Sequence, residues 1–169
     1  MKIAVASGKG GTGKTTISTN LALYVAGQGY DTVYFDCDVE EPNGHLFLRP
    51  VITKKEASSI PVPVIDESKC NACGECVRFC EYKALVRLGK IVMVFPELCH
   101  GCGGCTIGCP NHAIQEQERE IGIIEAGQSG KVGFVHGRMN IGEAMSPPLI
   151  RDVLQQIPNK EVNIIDAPP

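Results

Sequence analysis

The apolar and polar positions divide the first part of the chain into two short strands and a helix. Two nearly continuous apolar runs, KIAVAS at 2–7 and TVYFD at 32–36, have the pattern of strands covered on both faces of a parallel sheet. Between them, apolar residues at helical spacing predict a helix that ends at Gly27 and Gly29. The predicted apolar face of this helix comprises Ile17, Leu21, Tyr24 and Val25. Such a β–loop–α–β unit makes its two strands parallel.

The pattern returns to strands and a helix near the end of the chain. KVGFVHG predicts a strand or hairpin arm, and VNIIDAPP predicts a buried strand. A helix is expected to begin at Ser146-Pro147-Pro148, because serine caps helices and proline suits the first turn. Its predicted apolar face comprises Leu149, Ile150, Val153, Leu154 and Ile157. A core parallel strand normally leads into a covering helix, so we interpret the chain as the N-terminal part of a longer protein.

Three segments are expected from these boundaries. Residues 1–60 are predicted to form the first part of a nucleotide-binding domain, 61–124 an inserted cysteine-rich domain, and 125–169 the continuation of the first domain. The polar stretch TKKEASS at 53–59 is predicted to be a connection, and AGQSGK at 126–131 a flexible return linker.

The composition excludes several classes of protein. The chain is 43% hydrophobic and 21% charged, with a formal charge of -3. These values indicate neither a basic surface for nucleic-acid binding nor a disordered chain. The N-terminus lacks the pattern of a signal peptide, and no apolar run is long enough to span a membrane. These features predict a cytoplasmic protein, where clustered thiols more often bind metal than form disulfides.

The loop GKGGTGKT, at residues 8–15, matches the pattern G-x-x-x-x-G-K-[ST] between a predicted strand and a predicted helix. Backbone N–H groups of such a loop converge on phosphate oxygens, and the helix N-terminus favours negative charge. Lys14 is expected to reach the β- and γ-phosphates, and the Thr15 hydroxyl to contact Mg²⁺. The predicted ligands of ATP or ADP are Gly8, Lys9, Gly10, Gly11, Thr12, Gly13, Lys14, Thr15 and Thr16.

A second lysine early in this loop, Lys9, resembles the deviant Walker A sequence of the MinD/ParA/Mrp and nitrogenase iron-protein superfamily. FDCDVEEPN resembles that family's second acidic motif, and IIDAPP resembles its Walker B and switch region. The resemblance covers residues 1–48 and about 131–169. It implies an α/β fold of the P-loop NTPase kind, with a parallel sheet flanked by helices.

The resemblance also implies roles for four residues. Lys9 would reach across a homodimer to the partner's nucleotide. Asp38 would orient the attacking water, Asp36 would support the magnesium shell, and Asp166 would hold Mg²⁺. The alternatives are loop capping for the aspartates and an exposed surface position for Lys9.

Eight of the nine cysteines lie in two runs with the spacing C-x₂-C-x₂-C-x₃-C. This is the spacing of bacterial two-cluster ferredoxins, in which the fourth cysteine of each run ligates the other cluster. One [4Fe–4S] cluster is therefore assigned to Cys70, Cys73, Cys76 and Cys109. The second is assigned to Cys99, Cys102, Cys105 and Cys80. We expect this insert to be an α+β ferredoxin-like domain.

The two runs form one internal repeat offset by 29 residues, as Gly74 and Gly103 or Ala84 and Ala113 show. The alternatives are a zinc site, which prefers separated C-x₂-C pairs, and disulfides. The ninth cysteine, Cys37, is expected to serve in packing.

Three functions combine these features. The first is an ATPase that couples its nucleotide state to electron transfer through the two clusters. The second is an Mrp-like carrier of iron–sulfur clusters, and the third is a regulatory nucleotide-binding module with structural clusters. The expected partners are a second copy of the chain and a redox or iron–sulfur acceptor protein, without nucleic acid.

Overall fold

The computed structural model describes residues 1–156 and 160–168, so the predicted face residue Ile157 and the final Pro169 lie outside the described residues. The described residues form eight strands and five α-helices. The strands are β1 (Lys2–Val5), β2 (Thr32–Asp36), β3 (Val51–Ile65), β4 (Leu85–Leu88), β5 (Ile91–Val94), β6 (Ile114–Ser129), β7 (Val132–Met139) and β8 (Val162–Asp166). The helices are α1 (Lys14–Gly27), α2 (Gly44–Leu48), α3 (Glu75–Phe79), α4 (Gly104–Ile107) and α5 (Pro147–Gln155).

The described chain divides into two compact units. The first comprises Met1–Ser58, Ile121–Ile141 and Ser146–Pro169, and the second comprises Ser59–Glu120 and Gly142–Met145. No helix among residues 1–156 and 160–168 is long and apolar enough to cross a membrane.

A six-stranded sheet in the order β1-β8-β2-β7-β6-β3 organises the first unit. The pairs β1–β8, β8–β2 and β2–β7 are parallel, and β6–β7 is antiparallel. All five residues of β2 are buried, as expected for a central parallel strand. This mixed α/β architecture, with a mostly parallel sheet flanked by helices, confirms the predicted fold class.

Helix α1 packs on the sheet through small residues, which corrects the predicted apolar face. Ala22 and Ala26 are 0% and 2% exposed and join the core around Tyr34. Leu21 and Val25 are half-buried against this core, whereas Ile17 and Tyr24 are exposed to 60% and 66%. Small side chains let the helix lie close to the sheet, so the bulky ones turn outward. The helix ends at Gly27, as predicted.

Helix α5 begins at Pro147 after Ser146, as predicted. Leu149 and Val153 are fully buried, whereas Leu154 is partly exposed. A methyl group at Gly137 of β7 would come within 2.7 Å of the Val153 side chain. Glycine at this position therefore allows α5 to pack closely on the sheet.

Three local predictions are wrong. Strand β1 is half-buried or exposed, not covered on both faces, because it lies at one edge of the sheet. The polar stretch 53–59 belongs to β3 at the other edge, where exposed polar side chains are tolerated. The predicted linker 126–131 is the end of β6 and its turn into β7, with Gly130 at φ 55°.

The second unit contains the β4–β5 hairpin and two short helices around the cysteines. Its core consists of buried thiol and apolar side chains: Cys76, Leu85, Cys109, Ala113 and Ile114. The internal repeat extends to the backbone, because left-handed residues recur at the same offset of 29. The repeated pairs are Ala72 and Gly101, Gly74 and Gly103, and Lys83 and His112.

Candidate functional site

The loop after β1 turns into α1 through left-handed glycines. Gly11 and Gly13 have φ of 72° and 90°, and Gly13 immediately precedes the helix. The Ser7 hydroxyl donates to the Lys9 carbonyl at 2.8 Å, and the Thr12 hydroxyl donates to Ser7 Oγ at 2.8 Å. These contacts hold the loop in an open curve in front of the helix N-terminus, where N–H groups favour anions.

A cleft beside this loop brings together most of the predicted nucleotide ligands with Asp38. Lys14 is the first residue of α1 and is only 8% exposed, so its side chain is buried within the cleft. Glu40, Glu41, Asn43 and Phe47 also line the cleft and were not assigned from sequence, although the first three belong to the acidic motif. The predicted residues in the lining are Gly10, Gly11, Gly13, Lys14, Thr15, Thr16 and Asp38.

Gly8, Lys9 and Thr12 are exposed and lie outside this lining. Lys9 contributes its backbone carbonyl to the loop, as the acceptor of the Ser7 and Thr12 hydroxyls.

Two aspartates lie side by side at the carboxyl ends of β2 and β8. Asp36 and Asp166 are in register on β2 and β8, and both are 0% exposed. Burial, helped by the neighbouring Asp166, raises the pKa of Asp36 to about 7, although hydrogen bonds from the backbone oppose the increase. Those bonds come from the N–H of Gly44 at 2.8 Å and of Asp38 at 3.2 Å.

Asp166 keeps one oxygen free among the described residues. Its Oδ2 accepts the Tyr34 hydroxyl at 2.9 Å, whereas Oδ1 is buried without a hydrogen-bond partner. A free carboxylate oxygen beside a second carboxyl group suits a divalent cation, which prefers oxygen ligands. The residues present therefore fit the magnesium site. Tyr34 was missed from sequence because it lies in an apolar run.

Asp38 is half-buried at the edge of the cleft. Burial raises its pKa, and the nearby Lys14 ammonium opposes the increase. The carboxyl group thus lies within electrostatic reach of the Lys14 ammonium group.

In the second unit, eight thiols line two separate cavities, four in each. One cavity is lined by Cys70, Cys73, Cys76 and Cys109, and the other by Cys80, Cys99, Cys102 and Cys105. The structure thus brings together the same crossed sets that the spacing predicts.

Backbone N–H groups point at several of these sulfurs. The Ala84 and Ala113 amides donate to Cys80 and Cys109 Sγ, both at 3.3 Å, and occupy equivalent positions of the repeat. The Gly101 amide donates to Cys99 Sγ at 3.4 Å. Such bonds stabilise negative charge on sulfur.

Burial sets the protonation of the free thiols. It raises the pKa of Cys76, Cys99 and Cys105, so the metal-free thiols hold their protons more firmly. Among the described residues, no three His, Cys, Asp or Glu side chains are gathered as tightly as a single metal ion needs. A larger inorganic cluster instead uses one thiolate at each corner.

Cys37 belongs to the first unit and lines neither cavity. It is 1% exposed between the two acidic residues, and burial raises its pKa to about 12. This environment suits a packing role, as predicted.

Comparison with known proteins identifies similar sequences. An uncharacterized protein of Methanocaldococcus jannaschii is 33% identical over 176 residues, covering 99% of this chain and 61% of the relative. An iron-sulfur cluster carrier protein of Pyrococcus horikoshii is 50% identical over 42 residues, covering 25% of this chain and 14% of the relative. A pyruvate synthase subunit, PorD, of Thermotoga maritima is 32% identical over 66 residues, covering 38% of this chain and 67% of the subunit.

The chain thus spans about three fifths of the Methanocaldococcus relative that it matches almost throughout. The family model described as the CobQ/CobB/MinD/ParA nucleotide binding domain matches residues 3–161. This match includes both the glycine loop and the acidic motif whose side chains meet at the cleft. The chain therefore belongs to the CobQ/CobB/MinD/ParA family of nucleotide-binding domains.

Proposed function

We propose that this chain is an ATP-hydrolysing iron–sulfur protein that couples its nucleotide state to electron transfer through two [4Fe–4S] clusters. The observation that carries the proposal is the division of eight thiols between two cavities in crossed sets. A phosphate-binding loop and a cluster-binding unit on one polypeptide give both halves of such a protein. The short similarities to a cluster carrier and to PorD agree with an iron–sulfur role.

In the nucleotide site, each residue acts through charge or position. The Lys14 ammonium neutralises the phosphates, and the Thr15 hydroxyl and the Asp166 carboxylate hold the cation. Asp36 supports that cation from the neighbouring strand, and Asp38 orients water for attack on the terminal phosphate. Phosphoryl transfer depends mainly on such positioning and charge neutralisation, so no covalent intermediate is required.

Members of this family commonly dimerise, and we infer the same for this chain. The exposed Lys9 side chain is then free to reach the nucleotide of the second copy. Its loop is held through its carbonyl, so the ammonium group takes no part in maintaining the loop.

In the second unit, the thiolates hold the clusters, and the amides of Ala84, Gly101 and Ala113 stabilise the charge on them. Buried Leu85 and Ile114 exclude water from the cavities. When bound, a [4Fe–4S] cluster supplies one-electron redox chemistry.

Metal analysis of the anaerobically purified chain tests the cluster assignment. We expect about eight iron and eight sulfide ions per chain, four of each per cluster. Cys76→Ser and Cys109→Ser should perturb the same EPR signal of the reduced protein, although the two cysteines lie in different runs. Cys105→Ser should perturb the other EPR signal. Cys37→Ser is the matched control and should perturb neither signal.

If Cys109→Ser instead perturbs the signal that Cys105→Ser perturbs, the ligation is not crossed. Zinc in place of iron and sulfide would refute the cluster assignment.

A redox titration with and without Mg–ATP tests the coupling. Allosteric couplings of about 1–3 kcal/mol would move a one-electron midpoint potential by roughly 40–130 mV. Unchanged midpoint potentials in a protein that binds ATP would exclude this coupling.

A second candidate function is cluster delivery, which the similarity to the Pyrococcus cluster carrier favours. A carrier must lose iron and sulfide to an apo-acceptor protein, whereas an electron carrier keeps them. Incubation with an apo-ferredoxin, followed by separation and metal analysis of both proteins, distinguishes the two functions.

A further inference from the structure

One of the two cysteine cavities has a pair of stacked aromatic rings in its wall. Tyr82 and His100 line the Cys99 cavity, whose thiols are those of Cys80, Cys99, Cys102 and Cys105. The two ring centroids lie 3.4 Å apart, and the ring planes differ by 9°. Tyr82 follows the first cysteine run and His100 lies within the second, so the stack joins the two runs at this cavity.

The other half of the internal repeat has asparagine at both positions. Tyr82 and Asn111 are 29 residues apart, as are Asn71 and His100. Asn71 and Asn111 line the Cys70 cavity, which contains the other four thiols. Among the described residues that line this cavity, none is aromatic.

The backbone shows that these positions are structurally equivalent. In each half, the residue after Tyr82 or Asn111 donates its amide N–H to the carbonyl of the last cysteine of the run, at 3.3 and 3.2 Å. These donors, Lys83 and His112, are both left-handed, with φ of 57° and 47°. At the other pair of positions the following residue is likewise left-handed, with φ of 53° and 62°. The exchange of aromatic rings for asparagines therefore takes place on the same local backbone.

Both rings reach the surface as well as the cavity. Tyr82 is 45% exposed, and His100 is also exposed. The stack thus lies between the thiols of the Cys99 cavity and solvent. Asn71 instead contacts its own run, where its Oδ1 accepts the Cys73 N–H at 3.1 Å. Asparagine side chains also carry N–H donors. The walls of the two cavities therefore differ in polarity, although their cysteine spacings are the same.

We propose that Tyr82 and His100 are positioning residues that form an aromatic cover over the cluster of the Cys99 cavity and keep its reduction potential below that of the other cluster. This inference rests on the proposed cluster sites. Reduction adds negative charge to a cluster, and nearby water or N–H donors stabilise that charge. A cover that excludes water therefore lowers the potential. An electron given to the chain would then reside mainly on the cluster of the Cys70 cavity.

A charge difference at another position of the repeat acts in the same direction and has to be kept apart from the cover. Glu116 lines the Cys99 cavity, and its counterpart 29 residues earlier is Arg87. Their side chains lie beside equivalent glycines: a Cβ atom at Gly103 would be 3.2 Å from Glu116 Oε1, and one at Gly74 would be 3.5 Å from Arg87 Cδ. Both charges are exposed, so solvent screens them. Substitutions that test the cover therefore leave both charges in place.

Anaerobic redox titration of the full chain, followed by EPR, tests the cover, and the Cys105→Ser variant assigns the signals. Deuteron couplings after exchange into D₂O, measured by pulsed EPR, report the water near each reduced cluster. In the wild-type chain, the Cys99 cluster should have the lower midpoint potential and the weaker deuteron coupling. Tyr82→Asn and His100→Asn install the residues of the other half of the repeat. They should raise both quantities for this cluster alone, and the double variant should bring them closest to those of the other cluster.

Two further variants serve as controls. Tyr82→Phe keeps the ring and should retain the wild-type midpoint potential and deuteron coupling. His112→Asn changes an exposed histidine of the same unit that lines neither cavity, and it should affect neither cluster.

Unchanged midpoint potentials and deuteron couplings in the double variant would overturn the proposal, with the proposed function intact. Equal shifts of both clusters would also overturn it, because they would indicate a general disturbance of the unit. A shift for Tyr82→Phe as large as that for Tyr82→Asn would assign the effect to the hydroxyl group and refute the cover. If a variant loses its cluster, the wild-type chain decides, because a higher midpoint potential for the Cys99 cluster contradicts the proposal. A wild-type chain without iron and sulfide would refute the proposed function and this inference together.

Discussion

Removing the hydrogen bond between Tyr34 and Asp166 tests whether this contact stabilises the buried carboxyl group of the candidate nucleotide site. Tyr34→Phe removes the hydroxyl that donates to Asp166 Oδ2 at 2.9 Å and keeps the ring that stacks on Phe134 with centroids 5.8 Å apart. Both residues are 0% exposed, so water does not replace the lost donor. Because Oδ1 already lacks a partner in the described chain, the substitution leaves a buried carboxylate without either bond.

The expected cost follows from these contacts. A hydrogen bond to a charged group contributes about 1.5–3 kcal/mol. In a chain of this size, 1 kcal/mol changes the melting temperature by about 2–4 °C, so Tyr34→Phe should lower it by roughly 3–12 °C. Anaerobic thermal unfolding followed by circular dichroism measures the change. Tyr24→Phe removes the same hydroxyl from a ring that is 66% exposed on α1 and should leave the melting temperature unchanged.

Mg–ADP extends the test to the proposed cation site. A cation held by Asp166 would supply the compensating charge, so saturating Mg–ADP should narrow the difference between Tyr34→Phe and the wild-type chain. Equal melting temperatures for the Tyr34 and Tyr24 variants would refute the energetic argument. A difference that Mg–ADP does not narrow would refute the assignment of magnesium to Asp166.

Three further predictions follow from named contacts. Lys14→Ala should abolish Mg–ADP binding in isothermal titration calorimetry while the iron content stays unchanged, because the buried Lys14 side chain lines the cleft proposed to bind the phosphates. The folded-state pKa of Asp36, about 7, exceeds its ordinary value of 3.8. Its contribution to stability is therefore lost as pH rises from about 4 through 7, and urea unfolding should show less of it at pH 8 than at pH 5.5. Gly108→Ala should destabilise the cysteine-rich unit by about 1–3 kcal/mol, since the methyl group would lie 2.6 Å from the Phe79 ring. Gly104→Ala, with its nearest neighbour at 3.7 Å, should have little effect on thermal unfolding.

Local sequence signals predicted the central elements well. Strand β2, the end of α1 at Gly27, the start of α5 and strand β8 follow from apolar runs, glycine and proline. The two sets of cysteines that line separate cavities are the sets that the spacing predicts.

The errors come from contacts that are distant in sequence. The buried face of α1 is chosen by how closely the helix can approach the sheet, so Ala22 is buried while Ile17 is exposed. The polar residues of β3 form a strand because β6 pairs beside them, although their composition resembles a loop. The sequence analysis missed Tyr34 for the same reason, because the hydrogen-bond partner of this residue lies 132 residues away.

Both candidate sites bury groups that a bound cation would stabilise. Asp166 has a free oxygen beside the protonatable Asp36, and burial raises the pKa of thiols such as Cys76 and Cys105. Binding of iron to such thiols must release their protons, so the affinity rises with pH and is linked to folding. Magnesium nucleotide should stabilise the nucleotide-binding unit because a ligand that binds only the folded state favours folding. This stabilisation grows with the logarithm of the ligand concentration. The two units should therefore respond to different additives: iron and sulfide should protect the cysteine-rich unit from proteolysis, and Mg–ADP should protect the nucleotide-binding unit.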